Sequence, residues 1–322
     1  MADKTLLIGD IGGTNARFAM VDPEHFGFSD AMTLQCDDHA SADDAIRHYI
    51  GELSAEAPDV ICLAVAGPVI GSTVQVTNNH WALDAESIAT DFATESVKLL
   101  NDFEAVAYSI PHLRAEDTVV IGLPDQKPTL EDDFNIAILG PGTGLGTAGL
   151  IRRGQAVIPI VAEGGHVGFA PNSRLQVEIL NSLRSEFDRV SVEHLLSGPG
   201  IENIYRALAL IHGEQRGPLS AEEIFASDDD SRAAETTQVF FEILGQVAGD
   251  LALVLGAADG VYIAGGITKR YPELLQASGF RNAFDDKDDY RSLMERIPTL
   301  LITHDEPGLL GAAYCALELS SV

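Results

Sequence analysis

Asn101 and Asp102 end the apolar run VKLL and open the helical pattern DFEAVAYS, which places a carboxylate at the C-terminal end of a strand. Open α/β sheets bind their ligands there. A carboxylate in that position can accept the proton of a hydroxyl nucleophile, a role worth about 10²- to 10⁴-fold in rate. The same pair, read only locally, is a helix cap. In AEGGHVGFAPN, two glycines between Glu163 and His166 leave room for a ligand against the backbone. A carboxylate accepts from vicinal hydroxyls and an imidazole donates or accepts, so the pair suits a sugar; taken alone, EGGH is a polar turn. Glu193, in SVEHLLSGPG, precedes a helical segment with a glycine loop, and by itself suits a surface or capping position.

Two glycine-rich stretches could cradle phosphate. In GDIGGTN these are Gly9, Asp10, Ile11, Gly12, Gly13 and Thr14; in GPGTGLG they are Gly142, Thr143 and Gly144. The first fits neither the GxGxxG nor the GxxxxGK pattern, since it runs into ARFAMV, a strand ending at Asp22-Pro23, and contains no lysine. It therefore predicts a hairpin in which glycines at positive φ aim backbone N–H groups at phosphate oxygens. Asp10, at the strand end, can then hold Mg²⁺ through water. Gly265 and Gly266, in GVYIAGGI, permit close approach of a base, although a turn is the plainer reading of that pair.

These residues need an α/β frame to position them. TLLIG, ARFAMV, VICLAV, TVQVT and VKLL read as strands, with helical patterns over 41–53, after Leu83 and over 103–109. PHLRAED is a crossing between lobes. NIAILG and AGLIRR follow as strands, then helices over 175–187, 201–211 and 235–255, the strands GVYIAGG and TLLITH, and a helical tail LLGAAYCALEL. LLIGDIGGTNARFAMV is echoed by IAILGPGTGLGTAGLI, each reading strand, glycine loop, strand. Two such hairpins, one per lobe, would clasp a polyphosphate. The acidic clusters SDDDS and DDKDD read as solvated loops.

Length and composition limit what such a frame can do. The chain has 322 residues, enough for two domains, and is 46% hydrophobic with no apparent apolar run near the ~20 residues of a membrane span. With 49 Asp+Glu against 20 Lys+Arg, its net charge of -29 opposes nucleic acid and anionic membranes. Such acidity is also compatible with a salty or cold source. MADKTLLIGD carries no basic region, apolar core or cleavage site, which predicts a cytoplasmic protein. Cys36, Cys62 and Cys315 are too far apart to signal a disulfide framework or a zinc site, and read as buried small hydrophobes.

In order, GDIGGTNARF, LLNDFEAVA, LGPGTGLG, EGGHVGFAPN, SGPG, IAGGI and HDEPGLLGAA resemble the bacterial ATP-dependent glucokinase family from about Leu6 to Gly311. The resemblance implies a two-domain α/β actin-like ATPase (ribonuclease H-like) fold with an interdomain cleft that closes on the sugar. It implies a small α/β domain of 1–111 plus 301–322 and a large one of 112–300. Glucose would be held by Asn101, Asp102, Glu163, His166 and Glu193, with Asp102 as base, ATP as donor, Mg²⁺ at Asp10 and a homodimer as the assembly. No cysteine lies between Cys62 and Cys315, so the zinc motif of the related repressor/ORF/kinase sugar kinases is missing. Kinases of mannose, fructose or an amino sugar, a non-catalytic sugar-binding regulator and an actin-like filament protein are the competing readings.

Overall fold

The computed structural model describes residues 4–22, 27–227 and 229–321. Met1 to Asp3 of the N-terminal stretch, the strand stop at Pro23 and Asp228 of the first acidic cluster lie outside the described residues. The chain divides into two compact units, Met1–Leu113 with His304–Val322, and Arg114–Thr303. The first boundary falls inside PHLRAED.

In unit 1, β1 (Leu6–Ile11), β2 (Asn15–Asp22), β3 (Gly27–Gln35), β4 (Val60–Val65) and β8 (Ser96–Asn101) form one sheet in the order β3-β2-β1-β4-β8. The first three are antiparallel, while β4 and β8 run parallel to β1. All six residues of β4 are buried, as in a strand covered on both faces. Alternation along the strands sorts the core. Leu7, Ile11, Ile61, Leu63 and Val65 pack with Ile46 and Tyr49 of α1 (Ala42–Leu53) and with Trp81. Leu6, Ile8, Cys62 and Ala64 pack with Ala105 of α3 (Asp102–Ser109) and with Leu309 and Ala312 of α12 (Pro307–Ser320). A small antiparallel sheet of β5 (Val69–Ile70), β6 (Thr73–Gln75) and β7 (Ala82–Asp84) leads into α2 (Ala85–Phe92). The strand expected over TVQVT is thus only three residues long.

In unit 2, the sheet order is β12-β11-β10-β13-β14-β9. Its strands are β9 (Thr118–Val120), β10 (Phe134–Pro141), β11 (Leu145–Arg153), β12 (Ala156–Ala162), β13 (Val261–Ile263) and β14 (Thr299–Ile302). β10 to β12 are antiparallel neighbours and β13 and β14 continue parallel to β10, the same succession as in unit 1. The echo between the two glycine stretches is therefore a hairpin in the same place in two like sheets. Residues 301–303, which the resemblance placed in the small domain, fall in unit 2 and 112–113 in unit 1, because Leu301 and Ile302 belong to β14, which pairs with β13 and β9.

The helices α4 (Arg174–Leu183), α5 (Gly198–Ile211), α6 (Ala221–Ala226), α7 (Ser231–Leu255), α8 (Gly266–Arg270), α9 (Pro272–Ala277), α10 (Phe280–Asp285) and α11 (Arg291–Met294) complete the unit. By length and composition α7 is apolar enough to cross a membrane, which corrects the expectation that no such segment exists. Its Phe240, Phe241, Ile243 and Leu244 lie in the core among α5, α6, α10 and β10, and a helix packed on several sides is apolar around most of its circumference. All three cysteines are free and buried. A hydrogen bond with Cys315, together with burial, holds the Cys62 thiol well above its ordinary pKa.

Candidate active site

Asp10 is the penultimate residue of β1, and Asp102 opens α3 directly after β8. Asp10 is level with Ala64 of β4, and Ala64 with Leu100 of β8, so both carboxylates stand at one end of the sheet, on strands about 10 Å apart. Asn101 caps α3: its Oδ1 accepts from Phe103 N at 3.0 Å and Glu104 N at 3.3 Å, and its Nδ2 donates to Gly67 O at 3.1 Å. The local cap reading of Asn101 thus holds, and one of its amide protons is committed to Gly67. Asp102 Oδ1 accepts from Phe103 N at 2.9 Å. Gly67 is a site-supporting residue that sequence reasoning missed; its φ of 143° and the Gln75 O standing 2.7 Å from where a Cβ would be admit only glycine, and the Gly67-Pro68 dipeptide was the available signal.

Asp10 is half-buried and ringed by charge. Arg17 is its cross-strand partner, and Arg17 Nη1 donates to Glu306 Oε2 at 2.9 Å, just before α12. A Cβ at Gly308, in the first turn of α12, would stand 2.9 Å from Asp10 Oδ2, so the N-terminal end of that helix abuts the carboxylate. Burial first, then the Asp102 charge, push the Asp10 pKa from 3.8 to about 7, with Glu306 adding to the rise and Arg17 opposing it. A half-buried carboxylate whose charge is disfavoured this way suits a cation. Among the described residues no group of three or more His, Cys, Asp or Glu could hold a metal unaided. Mg²⁺ is commonly held by one or two carboxylates together with substrate phosphates, a donor set to which Asp10 could contribute.

Both glycine stretches are hairpins, but the expected positive φ is absent at Gly12, Gly13, Gly142 and Gly144. Close approach is the reason for glycine at Gly13 and Gly144, whereas a Cβ at Gly142 would meet nothing within 4 Å and one at Gly12 only Asn15 O at 3.6 Å. A Cβ at Gly13 would lie 3.0 Å from Thr77 O, and the first turn closes through Gly12 N donating to Asn15 O at 2.9 Å. Gly9 lies within β1, where Leu63 and Phe18 side chains fill the space of a Cβ at 2.8 and 3.0 Å, and Ile11 is fully buried. Those two residues are set by packing; Gly12, Gly13 and Thr14 form the turn, in which Thr14 is exposed and the two glycines are half-buried.

In unit 2 the residues expected to hold the sugar, Glu163, His166 and Glu193, lie on turns near the start of β11. Glu193 Oε2 accepts from Leu145 N at 2.8 Å. Gly164 N donates to Thr147 Oγ1 at 2.8 Å, and that hydroxyl donates to Ala162 O at 3.0 Å. At Gly165 a Cβ would stand 2.5 Å from Leu145 O. The short turn Gly164–His166 therefore lies against the hairpin and touches the turn Val192–His194 that carries Glu193. Glu163 and His166 are exposed and Glu193 is half-buried. Arg189 Nη1 donates to His166 O at 2.9 Å and steadies that end of the turn.

A cavity of about 570 Å³ opens beside the second hairpin, lined by Gly142, Thr143 and Gly266 together with Gly198, Pro199, Glu202, Phe225, Ile267, Arg270 and Tyr271, among others. The Phe225 and Tyr271 rings stack with centroids 4.3 Å apart. Gly198 N donates to Gly142 O at 2.9 Å, joining α5 to the hairpin. Gly265 has φ 92° and packs on Pro141 O, so here positive φ and close approach together demand glycine. Flat apolar walls with a few polar groups at the rim suit a nucleotide base. Phe225 and Tyr271 were missed from sequence, since Phe225 lies within α6 and Tyr271 between α8 and α9, and the two meet only in three dimensions.

A glucokinase family model matches residues 7–319. The glucokinase of Tolumonas auensis is 40% identical over 318 residues, covering 98% of both chains. The crystal structure of a glucokinase from an Antarctic psychrotroph is 35% identical with a TM-score of 0.88, over 98% of this chain and 99% of its own. The fold recurs in a glucokinase of Balamuthia mandrillaris solved with glucose, at 24% identity and TM-score 0.79, over 97% of this chain and 93% of that one. With sequence and fold matched over nearly their whole length, this chain belongs to the glucokinase family.

Proposed function

We propose that the protein transfers the γ-phosphoryl group of ATP to the 6-hydroxyl of D-glucose. The observation that carries the chemistry is the pair of carboxylates at one end of the unit 1 sheet, Asp10 and Asp102, close enough for the charge of one to shift the other. The two have different tasks. Asp102, oriented through Phe103 N at the head of α3, takes the proton of the sugar hydroxyl as it attacks. Asp10 holds the cation side, where Mg²⁺ supplies charge neutralisation on the phosphates when bound. Asn101, Glu163, His166 and Glu193 orient the hexose; Gly13, Thr14 and Thr143 offer backbone groups to phosphate, while Gly12 N and Gly142 N close their turns on Asn15 O and Gly144 O. Phosphoryl transfer has little covalent work for the protein beyond this positioning and charge stabilisation.

The reading extends to a cytoplasmic protein acting as a homodimer, with light scattering as the test of the assembly. ADP release measured over a panel of hexoses and phosphoryl donors tests the activity. Glucose with ATP should give the highest kcat/KM, and a preference for mannose, fructose or an amino sugar would replace the substrate while keeping the chemistry.

A further inference from the structure

We infer that Gly144, inside the nucleotide hairpin, is a positioning residue for the sugar: its missing side chain is the space in which the Glu193 carboxylate sits. The three atoms nearest to a Cβ built at Gly144 all belong to Glu193, with Oε2 at 2.5 Å, Cδ at 3.2 Å and Oε1 at 3.8 Å. That same Oε2 accepts from the next residue along the hairpin, Leu145 N, at 2.8 Å. Backbone conformation gives no reason for glycine here, because Gly144 has no positive φ. Nor does the nucleotide cavity, whose lining includes Gly142 and Thr143 and passes over Gly144. A methyl group at this position would push the carboxylate off Leu145 N and swing its second oxygen away from its present direction.

One hairpin thus serves two ligands. Its tip faces the nucleotide cavity, and its outgoing arm, from Gly144 to Thr147, fixes Glu193 and the EGGH turn. The inference rests on the reading that Glu193 holds the hexose.

Calorimetric titrations of the full chain separate the two. Glucose is titrated without nucleotide, and a non-hydrolysable ATP analogue with Mg²⁺ is titrated without glucose. Gly144→Ala should weaken glucose binding by about tenfold or more, the scale of losing a hydrogen bond to a charged group, and change analogue binding by less than about threefold. Glu193→Asp withdraws the carboxylate from the contested space, so adding Gly144→Ala to it should cost little further glucose affinity, a coupling that independent sites do not show. Weakened analogue binding with glucose binding intact in Gly144→Ala overturns the inference. If Glu193→Gln leaves glucose affinity unchanged, the sugar assignment of Glu193 falls and takes the inference with it. If Glu193→Gln weakens glucose binding and Gly144→Ala does not, the inference alone falls. A Gly144→Ala chain that folds with neither Glu193 nor Asp at position 193 would show that the space serves the backbone, and would also overturn it.

Discussion

The position of Asp102, the proposed base, was legible because an apolar strand run ends in Asn-Asp and a helix follows, so chain direction alone sets the carboxylate at the ligand end of the sheet. Asp102→Asn keeps size and helix-start geometry and removes the proton acceptor. We expect turnover in the ADP-release assay to fall about 10²- to 10⁴-fold with the thermal midpoint nearly unchanged; wild-type turnover would remove Asp102 from its role. Asp10 carries a second, pH-dependent prediction. Its folded pKa, about 7, lies above the ordinary 3.8, so between those values the folded state keeps a proton that the unfolded chain has released, and stability falls as pH rises through that window. Asp10→Asn should therefore stabilise the Mg²⁺-free protein near pH 8 by up to about 4 kcal/mol and near pH 4 hardly at all, while abolishing turnover. Denaturant unfolding at the two pH values checks it. Part of what raises this pKa was invisible in the sequence, because Glu306 comes from the far end of the chain.

Hairpins and central strands were legible as elements because their patterns are unmixed. β4 is apolar throughout, and each glycine stretch sits between two apolar runs. β3 and β12 were not, for a common reason: both are edge strands, half exposed. β3 shows no clean alternation, and β12 contains Pro159, which an edge strand tolerates and which reads as a break. Helix packing was equally hidden. A Cβ on Gly311 of α12 would overlap Ala105 O of α3, so these helices touch backbone to side-chain-free backbone on the face opposite α1. Gly311→Ala should cost about 1–3 kcal/mol or more, measured by denaturant midpoint. For α3 itself, Asn101→Ala removes the cap and the Gly67 bond, with an expected loss of about 1–2 kcal/mol and a higher KM for glucose.

At the scale of the molecule, a net charge of -29 makes the folded chain repel itself. Raising NaCl from about 0.05 to about 0.5 M should raise the calorimetric Tm by a few degrees, since salt at the higher level screens charges beyond about 4–5 Å; a Tm indifferent to salt would show the charges to be locally compensated. The composition, the α/β alternation, the paired hairpins and the Asn-Asp and EGGH constellations were all determined by the sequence, because chain-local spacing and periodicity encode them. Three things were decided only by the tertiary structure: that Gly308 stands against Asp10, that Phe225 stacks on Tyr271 beside the second hairpin, and that Glu193 lodges at Gly144. Each is a contact between segments far apart along the chain, and contacts of that kind are chosen by packing and by hydrogen-bond satisfaction across elements, which no local pattern records.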